Sequence, residues 1–285
     1  MLKMTNKGAK TVIKIIASDL DETLLNTDGT LGEKNIAAIK EAAAAGVYFV
    51  PNSGRGYKSF EDNLTALGLA QKEGQYKISF NGAAILENAG DKVIATNGLP
   101  FELAQGVFDA GRTFDDVSCH VYLLEKLYIY HQTPTDAAYM KSRQVSFEKL
   151  TTPDISFLQD QPIMKVIFET PDVARQHELA DYVMARFGEQ VDVTFSSGRY
   201  IEFNRKGVNK GQALLQLAKL LNVAQKETMA VGDNFNDLPM IEAAGIGAAV
   251  ANAVPEVAKL ADVQTTATND EGAMAELIHN YVLKD

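Results

Sequence analysis

Residues 12–23 read VIKIIASDLDET. The first seven are short, apolar and rich in β-branched side chains, the composition of a buried strand. The run then breaks into Asp19-Leu20-Asp21-Glu22-Thr23. A hydrophobic strand that ends in an acidic cluster is a fold signal as well as a chemical one. In open α/β sheets ligands gather at the carboxyl ends of the strands. Asp19 and Asp21 are two apart, so an extended backbone would send their side chains to opposite faces, and only a turn could aim both at one ligand. A solvated acidic loop capping a helix is the competing reading.

Outward from this stretch, Thr30 with Glu33 three residues on has the spacing of a capping box. Ile36, Ile39 and Ala43 recur at helical spacing, and Gly46 is placed to end that helix. A strand over 47–50, a helix over 57–67 and a strand over 77–80 follow, which implies parallel βαβ units. The last third has the same texture: helix 211–221, strand 228–232, a short helix at 237–244, strand 246–250, and helices over 254–261 and 272–282. The middle differs. Residues 121–130, 163–168, 191–196 and 199–203 are strand-like, with a helix over 171–188 and few others. The expected organisation is an α/β core, residues 1–85 and 205–285, interrupted by an α+β insert over 86–204.

Composition narrows the function. The chain has 285 residues, 46% apolar and 22% charged, and a formal charge of −10, the balance of a folded globular protein. The acidic field disfavours nucleic acid and anionic membranes, and obliges any anionic ligand to meet a local positive site. The single cysteine, Cys119, excludes an intrachain disulfide and a cysteine metal cluster. Met1–Lys10 is basic and polar, the apolar run after it is too short for a signal sequence, and no stretch approaches the ~20 apolar residues of a membrane span. The cytoplasm is the expected location.

Three more clusters lie at the end of a strand or the start of a helix. Asn52-Ser53-Gly54-Arg55-Gly56 offers a hydroxyl and a flexible glycine that let backbone N–H groups approach an anion; a plain strand-to-helix turn would read the same. Lys210, in Gly207-Val208-Asn209-Lys210-Gly211, could neutralise a phosphate or simply lie on the surface. Gly232-Asp233-Asn234-Phe235-Asn236-Asp237 presents only oxygen ligands and amides, which suit Mg²⁺, or caps a helix at Asp237. Each cluster alone has a bland explanation, but four such explanations must then hold at once.

Together the clusters resemble the haloacid dehalogenase superfamily of phosphotransferases. DLDET at 19–23, the Ser53-Gly54-Arg55 turn, Lys210 and GDNFND at 232–237 match its four motifs in order. Phe80-Asn81-Gly82-Ala83 before the insert and Gly207-x-x-Lys210-Gly211 after it resemble the Cof-type branch with an α+β cap. The resemblance implies a Rossmann-like parallel-sheet core and a Mg²⁺-dependent phosphatase acting on small phosphorylated metabolites, sugar phosphates above all. It implies Asp19 as nucleophile, forming an aspartyl-phosphate, and Asp21 as general acid and base. Ser53, Gly54, Lys210 and Asn236 would hold phosphate. Asp19, the Asp21 carbonyl and Asp233 would hold the metal. Thr23, Arg55, Asn81 and Asp237 would support them. Asn52 departs from the hydrophobic residue or threonine that many relatives carry. A phosphotransferase or mutase on the same core is the alternative, and a receiver-like regulatory domain or a non-catalytic binding protein are more distant ones. No nucleic acid or membrane partner is expected, and the chain could be a monomer or a homodimer.

The remaining candidates read as structural. Cys119 is expected to be a buried apolar residue, and the four histidines lack zinc-ligand spacing. Tyr122, Tyr128 and Tyr130 share one parity of an expected strand, as a cap face or a dimer contact would. Arg199 and Tyr200 have a weaker claim to reach a ligand.

Overall fold

The computed structural model describes residues 12–143 and 145–283, so the basic stretch Met1–Lys10 lies outside the described residues. The first part of the chain forms β1 (Ile15–Ser18), α1 (Glu33–Ala44), β2 (Tyr48–Pro51), α2 (Glu61–Leu67), β3 (Tyr76–Ser79), β4 (Ala84–Glu87) and β5 (Val93–Thr96). The middle forms α3 (Phe101–Gly111), β6 (Ser118–Leu123), β7 (Leu127–Tyr130), α4 (Pro134–Ser142), β8 (Glu148–Leu150), β9 (Ile163–Glu169), α5 (Val173–Phe187), β10 (Val191–Ser196) and β11 (Tyr200–Arg205). The last part forms α6 (Lys210–Leu220), β12 (Thr228–Gly232), α7 (Leu238–Ala243), β13 (Ile246–Ala249), α8 (Pro255–Leu260), β14 (Val263–Gln264) and α9 (Ala273–Leu277).

The core sheet is parallel, in the order β14-β13-β12-β1-β2. Its interior strand β1 is apolar on both parities because both faces are covered. Ile15 and Ala17 pack with Leu214 and Leu217 of α6 on one side. Ile16 packs with Ile39 of α1 and Met274 and Leu277 of α9 on the other. The chain leaves β1 in one direction to β2 and returns on its other side at β12, so a topological switch point falls between β1 and β12. Asp19 and Asp233 are the residues immediately after those two strands. The fold class is thus the expected α/β core with an inserted α+β module.

In that module the sheet runs β10-β11-β9-β6-β7-β8, antiparallel except for the β7–β8 pair. Helices α3 and α5 cover one face of it, enclosing a second apolar core that includes Phe108, Val121, Phe168, Leu179 and Phe203. Residues 76–96, on either side of the expected junction at 86, form the antiparallel sheet β3-β4-β5. Ile85, Ile94 and Ala95 pack with Leu214 of α6 in the core.

The sequence reading missed β4, β5, α3, α4, β8 and β14 and needs local corrections. The capping box at Thr30 does not form: α1 is entered through Gly32, and the Thr30 hydroxyl donates to the Asp28 carboxylate at 2.6 Å. A charged acceptor two residues away outcompetes a helix that begins later. Residues 121–130 are the hairpin β6–β7, folded back at its polar centre, where the Leu123 N–H donates to the Lys126 carbonyl. The three tyrosines therefore do not share a face. Tyr128 pairs across from Val121 and lies with Tyr130 on the apolar side, and Tyr122 takes the other. The helix expected over 57–67 opens as a 3₁₀ turn at Tyr57–Phe60. Cys119 is buried in the second core. Arg199 and Tyr200 are engaged inside the insert, with Glu169 and Asp136.

Candidate active site

The site is assembled at the carboxyl ends of β1, β2 and β12 and the start of α6. After β1 the chain turns sharply, with Leu24 N–H and Leu25 N–H both donating to the Leu20 carbonyl. Leu20, Leu24 and Leu25 are buried, so the turn is anchored from beneath and its polar residues divide. Asp19 and Thr23 go inward, while Asp21 and Glu22 face solvent. Glu22 takes a left-handed conformation, φ 55°.

Lys210 is the centre of the cluster. Its ammonium is fully buried and donates to Asp19 Oδ1 at 2.5 Å and to Asp237 Oδ1 at 2.6 Å. Asn209 caps α6 through its side chain, which accepts from the Gln212 N–H, and so fixes the stem from which Lys210 rises. Asp237 spends its second oxygen on the backbone N–H groups of Asp233 and Asn234, at 3.0 and 3.1 Å. That embrace requires glycine at 232, where a Cβ would sit 2.3 Å from the Asp237 Cβ. Asp233 accepts from the Thr23 hydroxyl at 2.8 Å. The surroundings displace the titrations. Burial pushes the Asp19 carboxyl up to about 8, against the pull of Lys210 and with a further push from Asp237 and Asp233. Burial likewise raises Asp233 to about 6, against the Thr23 hydrogen bond. Burial pulls Lys210 down, but Asp19 and Asp237 more than offset it, and its pKa lies above the usual lysine range.

Asp19, Asp233 and Asp237 can bring carboxylate oxygens within 4.8 Å of one another. All-oxygen donors of this kind fit a hard divalent cation such as Mg²⁺. The hydrogen bonds divide the three. Both oxygens of Asp237 are committed, to Lys210 and to the two backbone N–H groups. Asp19 and Asp233 each keep an oxygen, Oδ2, that has no hydrogen-bond partner among the described residues.

The structure places the Asp21 carboxylate elsewhere. Arg55 grips it with two N–H groups, Nε at 2.8 Å from Oδ2 and Nη2 on Oδ1, in a partly exposed pair. Arg55 is itself set by the turn after β2, where its N–H donates to Ser53 Oγ at 3.1 Å. Ser53 is buried, and its carbonyl accepts from the Asn81 N–H. Gly54 lies against Asn81, whose Oδ1 would be 2.9 Å from a Cβ at 54. Asn236 reaches the same Asn81 Oδ1 at 3.5 Å. Asn81, Lys210 and Asn236 line one wall of a cavity of about 350 Å³ whose other wall, Asp192, Thr194 and Asn204, comes from β10 and β11.

Sequence reasoning missed several of these residues. Asn52 looked like a mere departure, yet its Nδ2 donates to the Lys210 carbonyl at 3.0 Å and ties the end of β2 to the start of α6. Asp192 and Thr194 are alternate residues of one strand, a signal that period-2 reading could have found. Phe235 is exposed beside the cavity, inside the 232–237 cluster, where the acidic and amide residues drew the reading and the phenyl ring did not.

Comparison with known proteins agrees with this geometry. Residues 16–278 match the haloacid dehalogenase-like hydrolase family. The chain is 32% identical over 283 residues to YxeH of Bacillus subtilis (strain 168), which carries a phosphatase's name, covering 95% of this chain and 98% of that one. It is 29% identical over 276 residues to the 5-amino-6-(5-phospho-D-ribitylamino)uracil phosphatase YcsE of the same organism, covering 95% and 96%. The crystal structure of TM0651 from Thermotoga maritima superposes with a TM-score of 0.81 at 28% identity, covering 96% of this chain and 99% of that one. The chain belongs to the haloacid dehalogenase-like hydrolases and is an enzyme of that family's phosphatase group. No helix among the described residues is long and apolar enough to cross a membrane.

Proposed function

We propose that the enzyme hydrolyses small phosphorylated metabolites, sugar phosphates foremost, through a phosphoryl group carried on Asp19. The observation that carries this reading is the state of Asp19. Its Oδ1 is bound by Lys210, and its Oδ2 stands without a hydrogen-bond partner among the described residues at the switch point of the sheet. One oxygen is oriented and the other is left to attack.

Asp19 Oδ2 forms a bond to phosphorus as the ester P–O bond breaks, and the leaving oxygen takes a proton from Asp21. Water then attacks the same phosphorus, the P–Oδ2 bond breaks, and Asp21 recovers a proton from that water. Asp21 starts from its pair with Arg55, so it must turn from the guanidinium toward the leaving oxygen. Asn236 and Lys210 line the cavity, Ser53 and Gly54 would hold phosphoryl oxygens from the turn after β2, and Lys210 supplies the fixed positive charge. Asp233, through its unpartnered Oδ2, together with the Asp19 carboxylate and the Asp21 carbonyl would hold Mg²⁺, which when bound offsets the negative charge of the phosphoryl group. Asp237 holds Lys210 and the 233–234 backbone in place and is not expected to bind the ion. A hydroxylated leaving group suits the polar wall of Asp192, Thr194 and Asn204. The phosphorylated ribityl chain in the name of YcsE's substrate has the same chemistry.

The test is release of inorganic phosphate from an aryl phosphate and from a panel of sugar phosphates, with Mg²⁺ and with EDTA. Asp19→Asn should abolish release while the fold survives. Undiminished activity in that variant would refute the mechanism, and phosphate delivered to an added alcohol instead of water would favour the phosphotransferase alternative.

A further inference from the structure

One buried charge pair faces the site from the insert and has no part in the chemistry above. Lys165 on β9 is 5% exposed, and its ammonium donates to Glu202 Oε2 on β11 at 2.6 Å. Glu202 is completed by the Ser196 hydroxyl on its other oxygen. The neighbours of Lys165 along the strand, Val166 and Phe168, point into the apolar core of the insert, so Lys165 occupies the opposite, polar face of the sheet. The Tyr122 ring lies 5.2 Å from its ammonium. A buried ion pair gives little net stability over an apolar pair of similar size, so its presence asks for another reason.

The reason is in the third contact. Lys165 Nζ also donates to the carbonyl oxygen of Gly54, 3.2 Å away and 111 residues earlier in the chain. That carbonyl belongs to the peptide unit joining Gly54 to Arg55. The N–H of the same unit donates to Ser53 Oγ, and the Arg55 side chain holds Asp21. From the other side the unit rests on Asn81. One peptide plane thus links the insert, the phosphate-side turn and the partner of Asp21.

We propose that Lys165 is a positioning residue: held by Glu202, it fastens the cap sheet to the Gly54–Arg55 peptide and thereby couples closure of the cap to phosphate binding. This rests on the phosphatase reading of the site. Coupling is reciprocal, so phosphate must favour the closed cap by the same factor by which closure favours phosphate. The pair also explains why a lysine and a glutamate occur together on neighbouring strands of a sheet whose other face is apolar.

The test uses the full chain with Mg²⁺, inorganic phosphate as the probe, and the variants Lys165→Met/Glu202→Gln and Glu202→Gln. The double variant removes both charges and leaves no unpaired ion in the sheet. Its melting temperature should match that of the wild type, while its inhibition constant for phosphate rises about fivefold or more and kcat on an aryl phosphate falls on the order of tenfold. Small-angle scattering should show phosphate contracting the wild type but not the double variant. Glu202→Gln should move in the same direction by less, and Lys165→Arg should restore part of the loss. A folded double variant, or Glu202→Gln should the double variant not fold, that binds phosphate like the wild type and contracts with it overturns the coupling and leaves the phosphatase reading intact. A wild-type protein that neither binds nor releases phosphate overturns both.

Discussion

Replacing Lys210 by methionine tests the electrostatic design of the site most directly. The ammonium is the shared partner of Asp19 and Asp237, fully buried, with both contacts near 2.5 Å. Methionine fills similar space but leaves two carboxylates facing each other, with Asp233 close by. Removing one member of a buried ion pair costs about 3–5 kcal/mol, because the survivor is stranded without water. Two stranded partners place Lys210→Met at the upper end of that range. For a chain of this size that is a fall in melting temperature of roughly 8–20 °C.

The sign with pH follows from Asp19. Its pKa, already raised to about 8 by burial, should rise further once the cation that lowers it is gone. A carboxyl whose folded pKa exceeds its unfolded value contributes stability fully present below the unfolded pKa, and that contribution is lost as pH rises through the folded pKa. The deficit of Lys210→Met should therefore widen as pH rises through about 8, and be larger at pH 9 than at pH 5. Adding Asp237→Asn removes one of the stranded charges, and the new amide can donate to Asp19. The double variant should then be less destabilised than the sum of the singles by at least about 1.5 kcal/mol. Urea denaturation of the four proteins at both pH values measures all of this. Additive losses, or a deficit greater at pH 5, would refute the account.

Three further outcomes are expected. Because Asp19 and Asp233 titrate at about 8 and about 6 and must ionise to hold a cation, Mg²⁺ binding should release protons, and its apparent affinity, followed by thermal shift, should rise roughly tenfold per pH unit as pH approaches 8; a flat or falling affinity contradicts the ligand set. Thr23→Val deletes the 2.8 Å hydrogen bond to Asp233 and should weaken Mg²⁺ by about 10–100-fold with little change in the metal-free melting temperature; an unchanged Mg²⁺ titration would show that Asp233 needs no orientation. Gly211→Ala sets a Cβ 2.0 Å from the Pro239 carbonyl oxygen, so α6 and α7 must part, at a cost of about 1–3 kcal/mol in a chemical denaturation curve; a neutral substitution would mean the two helices are not held at that spacing.

Much of the core was legible because short parallel strands announce themselves twice, by their apolar runs and by the polar clusters at their carboxyl ends. Val12–Ser18 followed by Asp19, and Thr228–Gly232 followed by Asp233, show both. The hairpin β4–β5 and the helices α3 and α4 carry no such pairing and went unread. In the insert, Glu125 and Lys126 interrupt an apolar run that a window of ten residues averages into one strand. The limit on the site was of a different kind. Spacing can place Asp21 two residues from Asp19, but it cannot show that buried Leu20 and Leu24 turn one aspartate inward and the other toward Arg55. Nor can it show that Asn52, an apparent irregularity, reaches across to the backbone of Lys210.

The net charge of −10 gains meaning from this arrangement. Two of the acidic residues pair with one buried lysine and a third, Asp233, lies beside them, an excess of carboxylate over cation inside the fold. Burial, with the neighbouring carboxylates, opposes the ionisation of Asp19 and raises its pKa to about 8. A divalent ion at Asp19 and Asp233 would reverse the balance, favouring the ionised form and offsetting the charge that a phosphate dianion must meet. Lys210 cannot do this alone, because its ammonium is already shared between Asp19 and Asp237. The lysine sets the geometry of Asp19, and a bound cation would supply the charge that the lysine has already committed.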